Sequence, residues 1–289
     1  MKRNHALKVF LILVLPAFLA VSCGYGIHEG FYRENPVGDR AGAIAVLSDT
    51  ATSGLVSSIS GKKYKLLVIS DVHQGKNEDS ASNAAKFTSW VFSESQKPDF
   101  CINLGDTADH GNPSEIDSYV EMEDYIKTLG VKNVYNLPGN HDLYNSGWNY
   151  WKERMYPHES FYTFSTGALS FYFIDSASGS LGNAQMNSLR TAMENDGKQK
   201  IVLSHYPVLS NELMGYCSIQ DSYERDLLVD MFVKNKVRYV IAGHSHVYEE
   251  LEAGTFKEIN APSLGKDGRF LLFTIDESDM SIKCRIVSP

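Results

Sequence analysis

The stretch Asn136-Leu137-Pro138-Gly139-Asn140-His141-Asp142 constrains this chain more than any other. Val131 and Val134 give it a β-rich approach, and Pro-Gly then forces a sharp turn, so a strand is expected to end there. Past the turn an amide, an imidazole and a carboxylate stand in consecutive positions. In open α/β sheets that end of a strand is where ligands bind. One such triplet occurs by chance in loops. Four more clusters of the same chemistry flank it, each just after an apolar run. Asp71 and His73 follow residues 65–70, and Asp106 and Asp109 follow 99–104. His205 follows 199–204, and His244 and His246 follow 237–241.

The intervening segments have helical periodicity. Residues 81–96 place Ala84, Phe87 and Val91 on one side before Pro98 stops the helix. Residues 114–129 offer Ser114 as a cap, Ile116, Val120, Tyr125 and Leu129 as the apolar side, and Gly130 as the stop. Strand–helix–strand alternation implies an α/β fold with right-handed parallel crossovers. Segments 160–165 and 169–175 read as a hairpin turning at Thr166-Gly167, and 183–195 and 224–235 as helices. The tail, 247–287, reads as an antiparallel meander. The aromatic stretch 144–156, with Trp148, Tyr150 and Trp151, suits packing better than a base-stacking lid.

With 289 residues, 43% of them hydrophobic, the chain can build one sizeable core. Its net charge of -8 repels phosphate backbones, which excludes general nucleic-acid binding. The N-terminus reads as an address. Lys2, Arg3 and Lys8 precede an apolar run, 9–21, too short to span a bilayer and right for a signal. It ends in Leu19-Ala20-Val21-Ser22-Cys23, which resembles a bacterial lipoprotein signal, with Ala20 where the commonest pattern has Leu. The expected organisation is a signal peptide over 1–22, a lipid-anchored tether and irregular lead-in over 23–61, and the catalytic domain over 62–289. Lipid on Cys23 would hold the protein to a membrane of the cell envelope, on the periplasmic or extracellular side. Cys101, Cys217 and Cys284 have no zinc-type spacing. Cys101 is expected as a buried thiol, and the pairing of Cys217 with Cys284 is left open. No protein partner is inferable.

Carboxylate, amide and imidazole together form the ligand set for first-row divalent metals. Parallel strands lie about 4.8 Å apart, so successive strand ends can converge on one site. The ordered series Asp71-x-His73, Gly105-Asp106-x-x-Asp109, Gly139-Asn140-His141-Asp142, His205 and Gly243-His244-x-His246 resembles the calcineurin-like metallophosphoesterase superfamily over residues 65 to 250. That resemblance implies a four-layer αββα sandwich of two mixed sheets flanked by helices. It implies two divalent metal ions (Mn, Fe, Zn or Co), one held by Asp71, His73, Asp106 and His246. The other would be held by Asp106, Asn140, His205 and His244. It implies hydrolysis of a small phosphoester by a hydroxide between the metals, with His141 as general acid and the Asp109 carboxylate holding its proton.

Departures narrow the branch. Protein-phosphatase relatives carry Asp-Arg-Gly where Asp109-His110-Gly111 stands, and purple acid phosphatases lack the equivalents of His73 and Asp109. The pattern looks most like the cyclic-nucleotide phosphodiesterase and general phosphoesterase branch. Phosphomonoesterase or nucleotidase activity, and a non-catalytic metal-binding lipoprotein, are the alternatives. His110 reads equally as a phosphate contact or a loop residue. Tyr206 and Tyr248 adjoin ligands, and His5, His28 and His158 are bystanders.

Overall fold

The computed structural model describes residues 37–209 and 217–289. The expected signal peptide and Cys23 lie outside the described residues. Among the described residues no helix is long and apolar enough to cross a membrane.

The elements run, in order, α1 (Val37–Arg40), β1 (Ala45–Val46), α2 (Leu55–Ile59), β2 (Lys63–Ile69), α3 (Glu78–Ser93), β3 (Phe100–Asn103), α4 (Pro113–Thr128) and β4 (Val134–Asn136). After a kinked 3-10 stretch (His141–Ser146) come α5 (Trp148–Arg154), β5 (Tyr162–Ser165), β6 (Leu169–Ile174), α6 (Gly182–Glu194), β7 (Gln199–Ser204) and α7 (Ser222–Lys234). The chain closes with β8 (Val237–Ala242), β9 (Glu249–Ala253), β10 (Phe256–Asn260), α8 (Leu264–Asp267), β11 (Phe270–Asp276) and β12 (Ser281–Val287).

Two mixed sheets result. One has the order β1-β5-β6-β7-β8-β10-β9, the other β12-β11-β2-β3-β4. Period-two alternation explains the layers. Leu66 and Val68 of β2 meet Phe171, Phe173 and Leu203 between the sheets. Leu67 and Ile69 point the other way, onto Phe87 and Val91 of α3 and Ile116 and Tyr119 of α4. Across the sandwich, Tyr172, Val202 and Val240 face Leu189 of α6 and Phe232 of α7. The protein is therefore the helix–sheet–sheet–helix sandwich that the motifs implied.

Register positions the site. Ile69, Asn103 and Asn136 share one row of the smaller sheet, so the loops after β2, β3 and β4 leave at one level. Ser204, Ala242 and Asn260 share a row of the larger sheet.

The helices begin where caps place them. Asn77 accepts from the Ser80 amide at 2.9 Å, so α3 starts earlier than its periodicity suggested. Pro113 takes the first position of α4, which makes Asn112 the cap in place of Ser114. The buried face of α4 is Ile116, Tyr119, Met122 and Ile126, while Tyr125 is exposed. Trp148 and Trp151 stack on one another at 5.5 Å inside the core, so the aromatic stretch is packing. The tail differs from a single meander. The hairpin β9–β10 joins the larger sheet with β10 parallel to β8, and β11–β12 joins the smaller one. Between them α8 crosses over the end of β2: Leu264 N donates to Ser70 O at 2.9 Å and Gly265 N to Asp71 O at 3.0 Å. Cys101 is a buried free thiol and Cys284 is free as well, so it is not paired with Cys217.

One compact unit runs from Val37 to Pro289, so residues 37–61 of the expected lead-in are packed into it. Leu55 and Ile59 lie in the inter-sheet core, and β1 extends the larger sheet beside β5. Arg40 donates to both oxygens of Asp175, at 2.9 and 3.0 Å, with both side chains fully buried. Removing one partner of such a pair strands a buried charge. Arg40→Ala should therefore cost about 3–5 kcal/mol by urea denaturation. A loss below about 1 kcal/mol would mark the pair as no stronger than a surface one.

Candidate metal centre

The loops that leave the strand ends carry unusual backbone. Asp71, His73, Asp106, His244 and His246 have φ of 54°, 48°, 52°, 62° and 58°. Left-handed backbone is unfavourable for side-chain-bearing residues, and it gathers where surrounding contacts over-determine it. Those contacts are present. Asp71 N donates to Gly105 O at 3.0 Å, His73 N to Asp106 O at 3.0 Å and Gln74 N to Thr107 O at 2.9 Å. These bonds zip the first two loops together. The third loop is tied to the second by Asp142, whose fully buried carboxylate accepts Gly139 N at 2.8 Å and Ala108 N at 3.0 Å. Close approach then demands glycine at 139, since a Cβ there would collide with Asp106 Oδ1 and its amide.

The side chains converge in three groups, two of which share Asp106. Atoms of Asp71, His73, Asp106 and His246 lie within 4.8 Å of one another, as do those of Asp106, His205 and His244. In the first group His73 Nε2 faces His246 Nε2 at 3.3 Å, and His246 Nε2 lies 3.2 Å from Asp71 Oδ1. Two facing imidazole nitrogens need a proton or a cation between them. Asp71 Oδ1 and His73 Nδ1 are buried with no hydrogen-bond partner. In the second group His205 Nε2 lies 3.4 Å from Asp106 Oδ1 and 3.1 Å from Asn140 Oδ1. His205 Nδ1 donates to Leu104 O at 2.9 Å, which leaves the Nε2 lone pair directed inward. Asp106 thus turns Oδ1 to one group and Oδ2, 3.8 Å from His73 Nε2, to the other. Orphaned oxygen, facing imidazoles and a shared carboxylate together fit a pair of divalent cations.

Charge supports the fit. Burial pushes the Asp71 and Asp106 carboxyls up, but His246 for Asp71 and His205 for Asp106 outweigh it, and both end far below the usual range. Burial alone would lower His205, yet Asp106, with Asp71 and Asp142 beyond it, raises it to about 9. His244 is lowered to about 4, first by burial and then by His205, so it is neutral and ready to ligate. Asp142 is raised to about 7 by burial and by Asp106.

Each expected ligand, Asn140 included, sits in or against one of these groups. His141 belongs to neither of those two groups but to a third, with His73 and Asp109; its ring stands 4.7 Å from that of His73, and its amide donates to Asp106 Oδ1 at 2.9 Å. Asp109 reaches His141 through a different atom from the one expected. Its backbone carbonyl accepts from His141 Nδ1 at 2.6 Å. Its carboxylate turns instead to His73 Nδ1 at 3.2 Å, Lys76 Nζ at 3.5 Å and His110 Nδ1 at 3.1 Å. A carboxylate behind a ligating imidazole fixes its ring and raises its basicity. Tyr206 stacks on His244 with centroids 3.8 Å apart, whereas the Tyr248 hydroxyl is occupied by Glu250. Three roles are not readable from the sequence. They are Asp142 as a brace, Tyr144, whose hydroxyl accepts from Asn140 Nδ2 at 3.3 Å, and Ser263, whose Oγ donates to Asp71 O at 2.9 Å. Only Asp142 left a signal, by directly following His141.

Comparison with known proteins agrees. The sequence model of the calcineurin-like phosphoesterase family matches residues 64–248. A Fibrobacter succinogenes protein named probable cyclic nucleotide phosphodiesterase is 25% identical over 199 residues, 66% of this chain and 76% of that protein. Among solved structures, GAP50, the anchor in the inner membrane complex of Plasmodium, superposes with a TM-score of 0.61 at 17% identity. It covers 78% of this chain and 85% of its own, and it shows the fold alone. A putative 5'-nucleotidase of Staphylococcus aureus covers 78% of this chain and 54% of its own at 14% identity, with a TM-score of 0.48.

Two outcomes are expected. Asp106→Asn keeps the volume but removes the shared charge, so bound metal by elemental analysis should fall from about two per chain. Full occupancy would show that Asp106 does not bridge. A metal must also displace the proton held on His205. Because that pKa is raised, apparent metal affinity by calorimetry should strengthen as pH rises toward about 9 and then level. A flat profile would remove His205 from the ligand set.

Proposed function

The chain belongs to the calcineurin-like phosphoesterase family and is a metal-dependent phosphoric ester hydrolase; from that premise we propose a dinuclear phosphoesterase cleaving phosphodiester or phosphomonoester bonds. One observation carries the reading. Asp106 faces two ligand groups at once, and His141 lies beside them in a third group with His73 and Asp109. Two divalent cations there would lower the pKa of a water and neutralise phosphoryl oxygens. Manganese, iron, zinc and cobalt all suit the donors.

The chain's own residues do the rest. Asp71, His73 and His246 on one side, and Asn140, His205 and His244 on the other, orient the centre and hold it rigid. The Asp109 carboxylate lies 3.2 Å from His73 Nδ1 and its carbonyl accepts from His141 Nδ1, so one residue stands behind both rings. With Nδ1–H of His141 donated to that carbonyl, Nε2 is the atom turned to the leaving oxygen. The donating form is then the imidazolium, since the neutral ring with Nδ1–H fixed has only a lone pair at Nε2. Retention of every expected ligand supports turnover over a purely binding role. We further propose that lipid on Cys23 anchors the enzyme at the cell envelope, a reading supported by the sequence pattern.

Metal-replete protein should hydrolyse bis-p-nitrophenyl phosphate or p-nitrophenyl phosphate, and silence toward both with Mn, Fe, Zn and Co would end the proposal. His141→Ala should lower kcat by about 10²–10⁴-fold for alkyl esters with both metals still bound. The loss should shrink for p-nitrophenol, whose oxygen needs little protonation. Equal losses would make His141 a phosphate-orienting group and not an acid.

A further inference from the structure

We propose that the short helix α8 is a clamp on Asp71 that sets the affinity of the first cation separately from that of the second, with Ser263 as its positioning residue. The inference rests on the dinuclear reading and deepens it by separating the two halves of the centre.

Asp71 has left-handed backbone, with φ of 54°, although it carries a side chain. Such a conformation persists only where neighbours over-determine it, and here the ties come from three directions. Its amide donates to Gly105 O at 3.0 Å in the second loop. Its carboxylate accepts His244 N on Oδ2 at 3.0 Å, which leaves the orphaned Oδ1 for a cation. Its carbonyl accepts two donors from the tail of the chain, Ser263 Oγ at 2.9 Å and Gly265 N at 3.0 Å. Two donors fill both lone pairs of a carbonyl oxygen, so the peptide plane after Asp71 is fixed.

The clamp is itself held. The Ser263 hydroxyl is fully buried and used twice, donating to Asp71 O and accepting Lys266 N at 3.0 Å. Leu264 N adds a bond to Ser70 O at 2.9 Å, and the Leu264 side chain packs in one core with Phe87 of α3. Also from α3, the buried Asn83 donates Nδ2 to Gly265 O at 3.0 Å and to Lys266 O at 3.4 Å. Position 265 must be glycine, since a Cβ there would collide with Val72 O. α8 links β10 of the larger sheet to β11 of the smaller one, so both sheets anchor the clamp. Its residues lie past 248, where the match to the family's sequence model ends. Asp71 belongs to the first ligand group, whereas Asp106, His205 and His244 make the second. Loosening α8 therefore misplaces Oδ1 for the first cation and leaves the side-chain donors of the second where they are.

The test is manganese titration of the metal-free protein by calorimetry, with His73→Ala marking which step belongs to the first group. Ser263→Ala should weaken that step about tenfold and leave the other within about twofold. The loss sits at the low end for outer-sphere partners because Gly265 N still holds the carbonyl. Asn83→Ala, which loosens α8 from α3, should weaken the same step by a smaller factor. With manganese held near the wild-type Kd of that step, electron paramagnetic resonance should show the spin-coupled pair give way to a single-ion signal in Ser263→Ala. Equal weakening of both steps, or a lower Tm with both steps unchanged, would make Ser263 a structural cap of α8 and refute the clamp. Wild-type protein that binds a single manganese would overturn the dinuclear reading. The clamp would then stand if Ser263→Ala loosens that ion about tenfold and fall if it does not.

Discussion

The structure depends on one carboxylate facing two ways. Asp106 can present Oδ1 to His205 and Oδ2 to His73 only because its backbone is turned into the left-handed region at the end of β3. That conformation is held by Gly139, which lets the third loop pass against it, and by the amide of His141 on Oδ1. The strain, of order 1–3 kcal/mol per residue, recurs at four other expected ligands. Their loops are cross-bonded so densely that no single one can relax alone.

Buried acid groups are the second theme. Besides Asp71 and Asp106, the chain buries Asp142, Asp175, Glu258 and Glu277, all nearly inaccessible. Each is a tie between segments. Glu258 accepts Val208 N at 2.9 Å and Leu209 N at 3.0 Å, and burial pushes it up to about 8. Glu277 holds Gly61 N at 2.7 Å and the Tyr64 hydroxyl at 3.1 Å. Buried carboxylates that accept backbone amides stabilise loops with directional bonds which an apolar side chain would not supply. The Glu258 tie lies just past His205 and Tyr206, so it steadies the loop on which a ligand and the ring stacked on His244 are carried.

The residues that converge at the centre were legible as expected ligands because each follows a buried β-rich run, and a strand end needs no tertiary knowledge to locate. The α3 core residues Ala84, Phe87 and Val91 were legible from period alone. The α4 face was not. Its pattern mixes polar and aromatic residues on both sides, and only packing against β3 and β4 decides that Tyr119 goes in and Tyr125 out. The tail was misread because β10 and β11 look alike as short apolar strands, and nothing local says that they belong to different sheets. Residues 37–61, expected within the tether and irregular lead-in, show little local pattern for a similar reason. Their contribution is a buried pair, Arg40 with Asp175, between positions 135 residues apart. Asp109 shows the limit most sharply. A sequence says which residue adjoins His141, but whether carboxylate or carbonyl reaches it depends on competition among His73, Lys76 and His110 for the side chain.

That competition also explains how the centre stays poised without collapsing into salt bridges. Without cations, protons must separate the imidazoles from the carboxylates, and His205 carries the largest share of that task. Cations that replace those protons stabilise the fold in proportion to the logarithm of their concentration over Kd, so the strained loops and the bound metal support one another. Asp142 sets the order of dependence. It is raised to about 7 by the neighbouring Asp106 charge, and any cation that neutralises Asp106 lowers that cost and strengthens its hold on Gly139 and Ala108. Metal binding should therefore tighten the very loop that presents Asn140 and His141. His141, the proposed acid, would then be held more firmly when the centre is loaded.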